Sequence, residues 1–377
     1  MKILFTGGGS GGHILPIVAV TREIRKIHLG SPDGKKLEFF YVGPKDEFQE
    51  ILLAQEGIGV KKILAGKIRR YLNWKSVLQN IGDVLFKIPL GVLQSFFYLF
   101  LLMPDLIFAK GGFGSFPTVV SGWILRIPVL LHESDIAPGL ANKILSKFST
   151  KIFTSFPKTE YFSPKKMAIA GNPIRKEILT GTKEEGRALF RITREKPVIL
   201  ILGGSQGAQR INDKILEILP DLLKEFEVIH QCGEKNFQEV RDEAKAILVP
   251  EQENSFHLFP FMKEEELKQA LAVADLAVSR AGSGSIFEIA AAGLPSVLIP
   301  LPESAQNHQV KNAYAYGNTG ASIVLEEANF TPHFFLEKLK YLFSQPADLK
   351  RMSEAAKSFA KPEAAKQIAE YVVNALK

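Results

Sequence analysis

Short apolar runs alternate with longer amphipathic stretches along almost the whole chain. Ile3-Leu4-Phe5 and residues 37–43 (LEFFYVG), 104–112 (PDLIFAKGG), 128–133 (PVLLHE) and 151–156 (KIFTSF) each read as a strand, and residues 16–28 read as the first helix. The strands are apolar at consecutive rather than alternate positions, the mark of strands buried on both faces between helix layers. The pattern restarts at 197–213 (PVILILGGSQGAQRIND) as strand, glycine turn and helix. Further strands are expected within 225–233, 256–262, 274–285 and 294–300. The fold class predicted is α/β, with two Rossmann-like, doubly wound domains. The first covers 1–172 and the second 173–361. A last helix, 362–377, either closes the second domain or crosses back to the first. A chain of 377 residues is long enough for two cores.

Residues 84–103 (VLFKIPLGVLQSFFYLFLLM) break the pattern, with about the ~20 apolar residues of a bilayer span. Lys87, Pro89 and Gln94 interrupt the stretch, and it lies between strands expected in one sheet. Two readings remain: a buried crossover helix, or an apolar surface resting in a membrane interface. The preceding segment supplies Lys67, Arg69, Arg70 and Lys75 with Tyr71 and Trp74, residue types that seat at a lipid headgroup boundary.

The formal net charge is +7, which favours anionic partners such as phosphates or acidic lipid headgroups. No nucleic-acid motif accompanies it. The lone cysteine, Cys232, excludes an internal disulfide framework and suits a reducing compartment. Met1–Phe5 runs straight into a glycine turn without the apolar core of a signal peptide, so a cytoplasmic protein is expected.

Four glycine-rich turns each follow an expected strand: residues 7–12 with His13 behind them, 110–117 (KGGFGSFP), 203–212 (GGSQGAQRIN) and 279–288 (SRAGSGSIFE). A glycine turn opening a helix exposes N–H groups and the positive dipole end, which attract anions. Any one of them is also consistent with a plain tight turn; four together point to an anion or sugar cleft. A dinucleotide enzyme would carry a ribose-binding acid at the end of the second strand. Here Asp46 comes only after a Gly-Pro turn, which weakens an oxidoreductase reading.

GGGSGGHILP, HESDIAPGLANK, GNPIR, GGSQGAQRIN, RAGSGSIFE and NHQVKNA occur in an order that resembles the MurG family of peptidoglycan N-acetylglucosaminyltransferases, from residue 1 to about 325. The resemblance implies the glycosyltransferase B architecture, two Rossmann-like domains facing across a cleft. It implies transfer of GlcNAc from UDP-GlcNAc to the C4 hydroxyl of MurNAc in undecaprenyl-pyrophosphoryl-MurNAc-pentapeptide, lipid I, giving lipid II. The enzyme would sit peripherally on the cytoplasmic face of the plasma membrane, with the anionic surface and other cell-wall synthesis proteins as partners.

The resemblance also implies site residues. Ser205 and Arg175 would lie at the nucleotide phosphates, Met262 would bracket the uracil through its backbone, and Ser283 and Gly284 would open the helix facing the diphosphate. Glu288 would hold the ribose and Gln309 the sugar hydroxyls, with Ser10, Gly11 and Gly12 meeting the donor from the first domain. Phe113 and Asp135 would lie on the acceptor side, Asn212 would bridge the cleft, and His132 would pack or orient its turn. Three positions depart from the family pattern: Phe113 replaces an aromatic hydroxyl, Asp135 an Asn, and His308 the first of a Gln-Gln pair.

The family inverts the anomeric centre, so a base must take the proton of the attacking hydroxyl. His13, at a helix start that favours a neutral imidazole, and Glu133, at a strand end, both qualify. No Asp-x-Asp pair occurs, so no metal or other cofactor is expected; helix ends and Arg175 would carry the charge of the leaving UDP. The rivals are another lipid-acceptor transferase of the same architecture, an NAD-type oxidoreductase and a nucleotide-binding module without activity.

Overall fold

The computed structural model describes residues 1–8, 11–30, 36–67, 74–157, 160–204 and 207–376. The chain divides into two compact units. Unit 1 comprises Met1–Arg175 with Pro362–Lys377, and unit 2 comprises Lys176–Lys361.

Unit 1 holds seven parallel strands: β1 (Lys2–Gly7), β2 (Glu38–Gly43), β3 (Gly59–Lys62), β4 (Leu106–Gly111), β5 (Val129–Glu133), β6 (Lys151–Thr154) and β7 (Met167–Ile169). Their spatial order is β3-β2-β1-β4-β5-β6-β7. Every residue of β4 and β5 is buried, the polar Lys110, His132 and Glu133 near their C-terminal ends included. One core layer packs Ile14, Ile17, Val20 and Ile24 of the first helix, Gly11–Leu29, with Ile368, Val372 and Val373 of the last helix, Ala364–Asn374.

Unit 2 repeats the plan with β8 (Val198–Leu202), β9 (Glu227–Gln231), β10 (Phe256–Phe259), β11 (Leu276–Ser279), β12 (Ser296–Leu298) and β13 (Ser322–Val324), all parallel, in the order β10-β9-β8-β11-β12-β13. In each unit the strand order reverses once, between β1 and β4 and between β8 and β11. Ligands of doubly wound sheets bind beyond the strand ends at that reversal. The four glycine turns of the sequence are the ones that follow these four strands.

The apolar stretch forms a continuous helical run, Ser76–Leu102, long and apolar enough to cross a membrane, with 17% of its most apolar window buried. Within it Asp83–Lys87 is a π-helical turn. The run connects β3 and β4 of one sheet, and one side packs on the helix Phe116–Ile124. Ser121 Oγ donates to Val92 O at 3.0 Å, and Gly91 lets the Leu64 carbonyl approach where a methyl would collide with it. The outer side stays open, with Leu85, Phe86, Leu93, Phe97, Phe100 and Leu101 each about 60% exposed. The reading as a buried crossover helix is therefore corrected. The segment is a crossover helix, but the sheet and its neighbour cover only one side of it.

Candidate functional site

In unit 1 the turns after β1 and β4 interlock. A Cβ on Gly114 would lie 2.5 Å from the Gly7 carbonyl oxygen and 3.0 Å from Gly8 Cα. One on Gly112, whose φ is +81°, would lie 3.4 Å from Gly8 Cα and 3.1 Å from His13 Nε2. Glycine is required here so that two backbones can touch. His13 follows Gly11 and Gly12 in the first turn of its helix, its ring against Gly8 and Gly112. Burial and then the Lys110 charge hold its imidazole down at about 4, so it is neutral at ordinary pH.

Glu133 ends β5 and is 3% exposed. Its Oε1 accepts the Asp135 N–H at 2.9 Å and its Oε2 accepts Asn142 Nδ2 at 2.7 Å. Asn142 Oδ1 in turn accepts the Gly112 N–H at 2.9 Å. Both carboxylate oxygens thus order the site's turns. Burial, and then the Asp135 charge, push this carboxyl above its ordinary value. Glu133→Gln would place an amide NH2 against the Asp135 N–H or against Asn142 Nδ2. Flipping Asn142 only moves the conflict to Gly112. The variant is expected to lose about 1–3 kcal/mol of stability, read as a lower denaturant midpoint.

Behind these residues lies a lysine that the sequence reading left without a role. Lys110, in β4, is 1% exposed. Its Nζ meets His132 Nδ1 at 2.8 Å, Asn172 Oδ1 at 3.3 Å and Ser134 Oγ. His132 Nε2 lies 3.0 Å from the Gly171 carbonyl. A carbonyl only accepts, so the proton is on Nε2 and Nδ1 accepts from the lysine. His132, expected to pack or to orient its turn, thus has Lys110 and the Gly171 carbonyl as its partners. The remaining signal was a cation directly before a glycine pair.

Unit 2 differs in one physical respect. Added Cβ atoms on Gly204, Gly282 and Gly284 would meet nothing within 4 Å. Among the described residues these three border open space, whereas in unit 1 Gly112 and Gly114 close on Gly7 and Gly8, and Gly111 on Asn142. Ser283 is buried and starts the helix Ser283–Ala291, with Glu288 half-buried in its second turn. Arg280, just after β11, donates to the Ile299 carbonyl at 3.2 Å and pairs with Glu327. Glu327 also pairs with Arg210, which holds Glu303 at 2.9 Å. This ion-pair group at the two turns of the reversal was not anticipated.

Other expected residues fall as follows. Met262 is 2% exposed and its N–H donates to Gln231 Oε1 at 2.9 Å, so only its carbonyl lacks that commitment. Gln309 Oε1 accepts the Leu301 N–H at 3.0 Å. It follows two consecutive residues in the left-handed region, Gln306 (φ 59°) and Asn307 (φ 54°), a costly backbone that marks a turn held for a purpose. His308 Nδ1 lies 2.7 Å from the Ala305 carbonyl, which closes this turn. Arg175 is buried at the end of unit 1, and Phe113 and Asp135 are half-buried in its turns. Lys67 Nζ stands 5.9 Å over the Phe113 ring. Ser10 and Ser205, like Arg69, Arg70 and Tyr71, lie outside the described residues.

Asn212 requires a correction. It is fully buried, its Nδ2 donating to Cys232 O at 3.0 Å and its Oδ1 facing His230 Nε2 at 3.1 Å. Its amide is used up inside unit 2 and does not reach an acceptor. Asp46 caps the helix Glu47–Gln55, its side chain accepting the Gln49 N–H at 3.0 Å, so it does not serve as a ribose acid. Among the described residues no group of three or more His, Cys, Asp or Glu could hold a metal ion.

The comparisons with known proteins agree with the two-unit plan. The glycosyltransferase family 28 N-terminal domain matches residues 3–154 and the family 28 C-terminal domain matches residues 198–368. A Bacillus cereus protein named UDP-N-acetylglucosamine--N-acetylmuramyl-(pentapeptide) pyrophosphoryl-undecaprenol N-acetylglucosamine transferase 2 is 37% identical over 376 residues, 99% of each chain. The transferase of that name from Clostridium tetani is 34% identical over 91% of this chain and 90% of its own. The crystal structure of Acinetobacter baumannii MurG superposes with a TM-score of 0.71 over 99% of each chain at 24% identity. A UDP-GlcNAc 2-epimerase from Neisseria meningitidis bound to UDP-GlcNAc reaches 0.65 at 16% identity, over 99% of this chain and 100% of its own. Those two likenesses describe the fold alone, one that serves more than one chemistry. Matched in both of its halves, and more than a third identical to a named transferase along nearly all of its length, the chain is an enzyme that belongs to glycosyltransferase family 28.

Proposed function

We propose that the enzyme transfers GlcNAc from UDP-GlcNAc to the C4 hydroxyl of MurNAc in lipid I, with inversion, to make lipid II for peptidoglycan. The observation that carries this reading is the 37% identity over 99% of both chains to a transferase named for that donor and acceptor. The open glycines Gly204, Gly282 and Gly284 support placing the donor diphosphate on unit 2, where a helix N-terminus adds its partial positive charge. Ser283, Glu288 and Gln309 then meet the nucleotide sugar, and Arg175 contributes a cation. His13, neutral and half-buried, is the better proton acceptor, because both oxygens of Glu133 already hold N–H donors. The exposed apolar run Ser76–Leu102 supports peripheral binding at the cytoplasmic membrane face, where the lipid acceptor resides.

The test is transfer of labelled GlcNAc from UDP-GlcNAc to a lipid I analogue. Labelled disaccharide lipid is expected, at a rate that EDTA leaves unchanged. No transfer to that acceptor, with transfer to diacylglycerol instead, overturns the assignment. Loss of the chemical step in EDTA, restored by a divalent metal, overturns the metal-independent part of it.

A further inference from the structure

A buried lysine is costly unless its three N–H donors find acceptors. Lys110 meets that condition with partners from separate stretches of unit 1: His132 in β5, Ser134 just beyond it, and Asn172 after β7. Through His132 it also fixes the Gly171 carbonyl. Gly171 and Asn172 lie within the last five residues of unit 1 before the chain passes to unit 2 after Arg175. On its other side the lysine shares Gly7 with His13. A methyl on Gly7 would stand 3.3 Å from His13 Cβ and 3.7 Å from Lys110 Cβ.

We propose that Lys110 is a positioning residue for the transfer reaction: its sealed ammonium ties the ends of β4 and β5 to the exit of the chain at Gly171–Asn172 and so holds the glycine turn against which the His13 ring packs. With its donors occupied, the ammonium acts through these neighbours and not by touching substrate. The inference rests on His13 serving as the proton acceptor. The ionisable groups around Lys110 are Glu133 and Asp135, which favour the ammonium, and His132 and His13, which it discharges. Burial outweighs the two carboxylates and brings the lysine below its ordinary 10.5.

Lys110→Met keeps the length of the side chain and removes the charge. In this variant the His13 titration, followed by NMR of labelled histidines, is expected to rise from about 4 toward 6.5 without reaching it, because burial remains. Turnover is expected to fall roughly 10- to 100-fold, the range that a misplacement of about 1 Å produces, with KM for UDP-GlcNAc within about twofold. A His13 titration that stays put, or a raised KM with turnover kept, overturns the proposal.

Should Lys110→Met fail to fold, the unaltered enzyme supplies the test. Its turnover is expected to decline on the alkaline side at a pH below 10.5, as the ammonium is lost. Lys110→Arg, permanently charged, is expected to abolish that decline. A flat wild-type profile up to pH 10.5, or an unchanged decline in Lys110→Arg, overturns it. Absence of any transfer by the wild type would instead refute the proposed function, and the NMR titration would still report on the Lys110 charge.

Discussion

Replacing His13 by alanine is expected to lower turnover by ~10²–10⁴ with little change in KM for UDP-GlcNAc, the pattern of a lost proton acceptor. The open glycines proposed for the donor belong to unit 2 and His13 to unit 1, so donor binding should survive. Its pH behaviour separates it from an ordinary histidine. Protonation blocks a base, and an imidazole at 6.5 would be mostly charged by pH 5.5. Held at about 4, His13 stays neutral, so wild-type turnover should not decline from pH 7.5 to 5.5 on its account. Rapid-quench turnover with saturating donor checks both statements. A loss below tenfold in His13→Ala would move the role of base elsewhere, with Glu133 next in line.

The triple substitution Phe86→Ser, Phe97→Ser and Phe100→Ser is expected to lower affinity for anionic vesicles by at least roughly 100-fold. Each ring is about 60% exposed, and the helical spacing sets all three on one side of the run with Leu93. Burying one such side chain is worth ~1.5–3 kcal/mol, so even partial insertion of three exceeds the ~2.7 kcal/mol that a 100-fold change requires. UDP-GlcNAc affinity, read by calorimetry, should be unaltered, because these side chains belong to unit 1 and the open glycines proposed for the donor belong to unit 2. Equal vesicle co-sedimentation of the triple variant and the wild type would show that another surface holds the membrane.

Much of this was legible in the sequence. The continuous apolar runs of β1, β4, β5, β8 and β11 identified buried parallel strands, and glycine spacing located the turns at both strand-order reversals. Three of the four edge strands were not legible: β3 is Gly-Val-Lys-Lys and largely exposed, while β7 and β13 have three residues each, too few for a periodic signal. Within the site the residue types of the two glycine-turn pairs look alike, yet the glycines of one pair are closed in by neighbouring backbone and side chains while Gly204, Gly282 and Gly284 of the other are open. Only the path of the chain decides between those. Lys110 was invisible for a related reason. A lysine in a turn motif reads as a solvated cation, and its acceptors His132, Ser134 and Asn172 stand 22 to 62 residues away. Asn212 was misread because an amide in a glycine turn can face out to a ligand or in to the core, and local sequence does not specify which.

The interleaving of unit 1 also sets a timetable. Ile368, Val372 and Val373 belong to the same core layer as Ile3, Phe5 and Ile14, but a ribosome makes all of unit 2 before it reaches them. Until then the first helix keeps an uncovered apolar side in the nascent chain. His13 sits at the head of that helix, so a polypeptide still being synthesised should carry a finished unit 2 and an unfinished unit 1. Catalytic competence would then wait for the helix Ala364–Asn374, and a nascent chain that lacks it would not draw on the lipid acceptor.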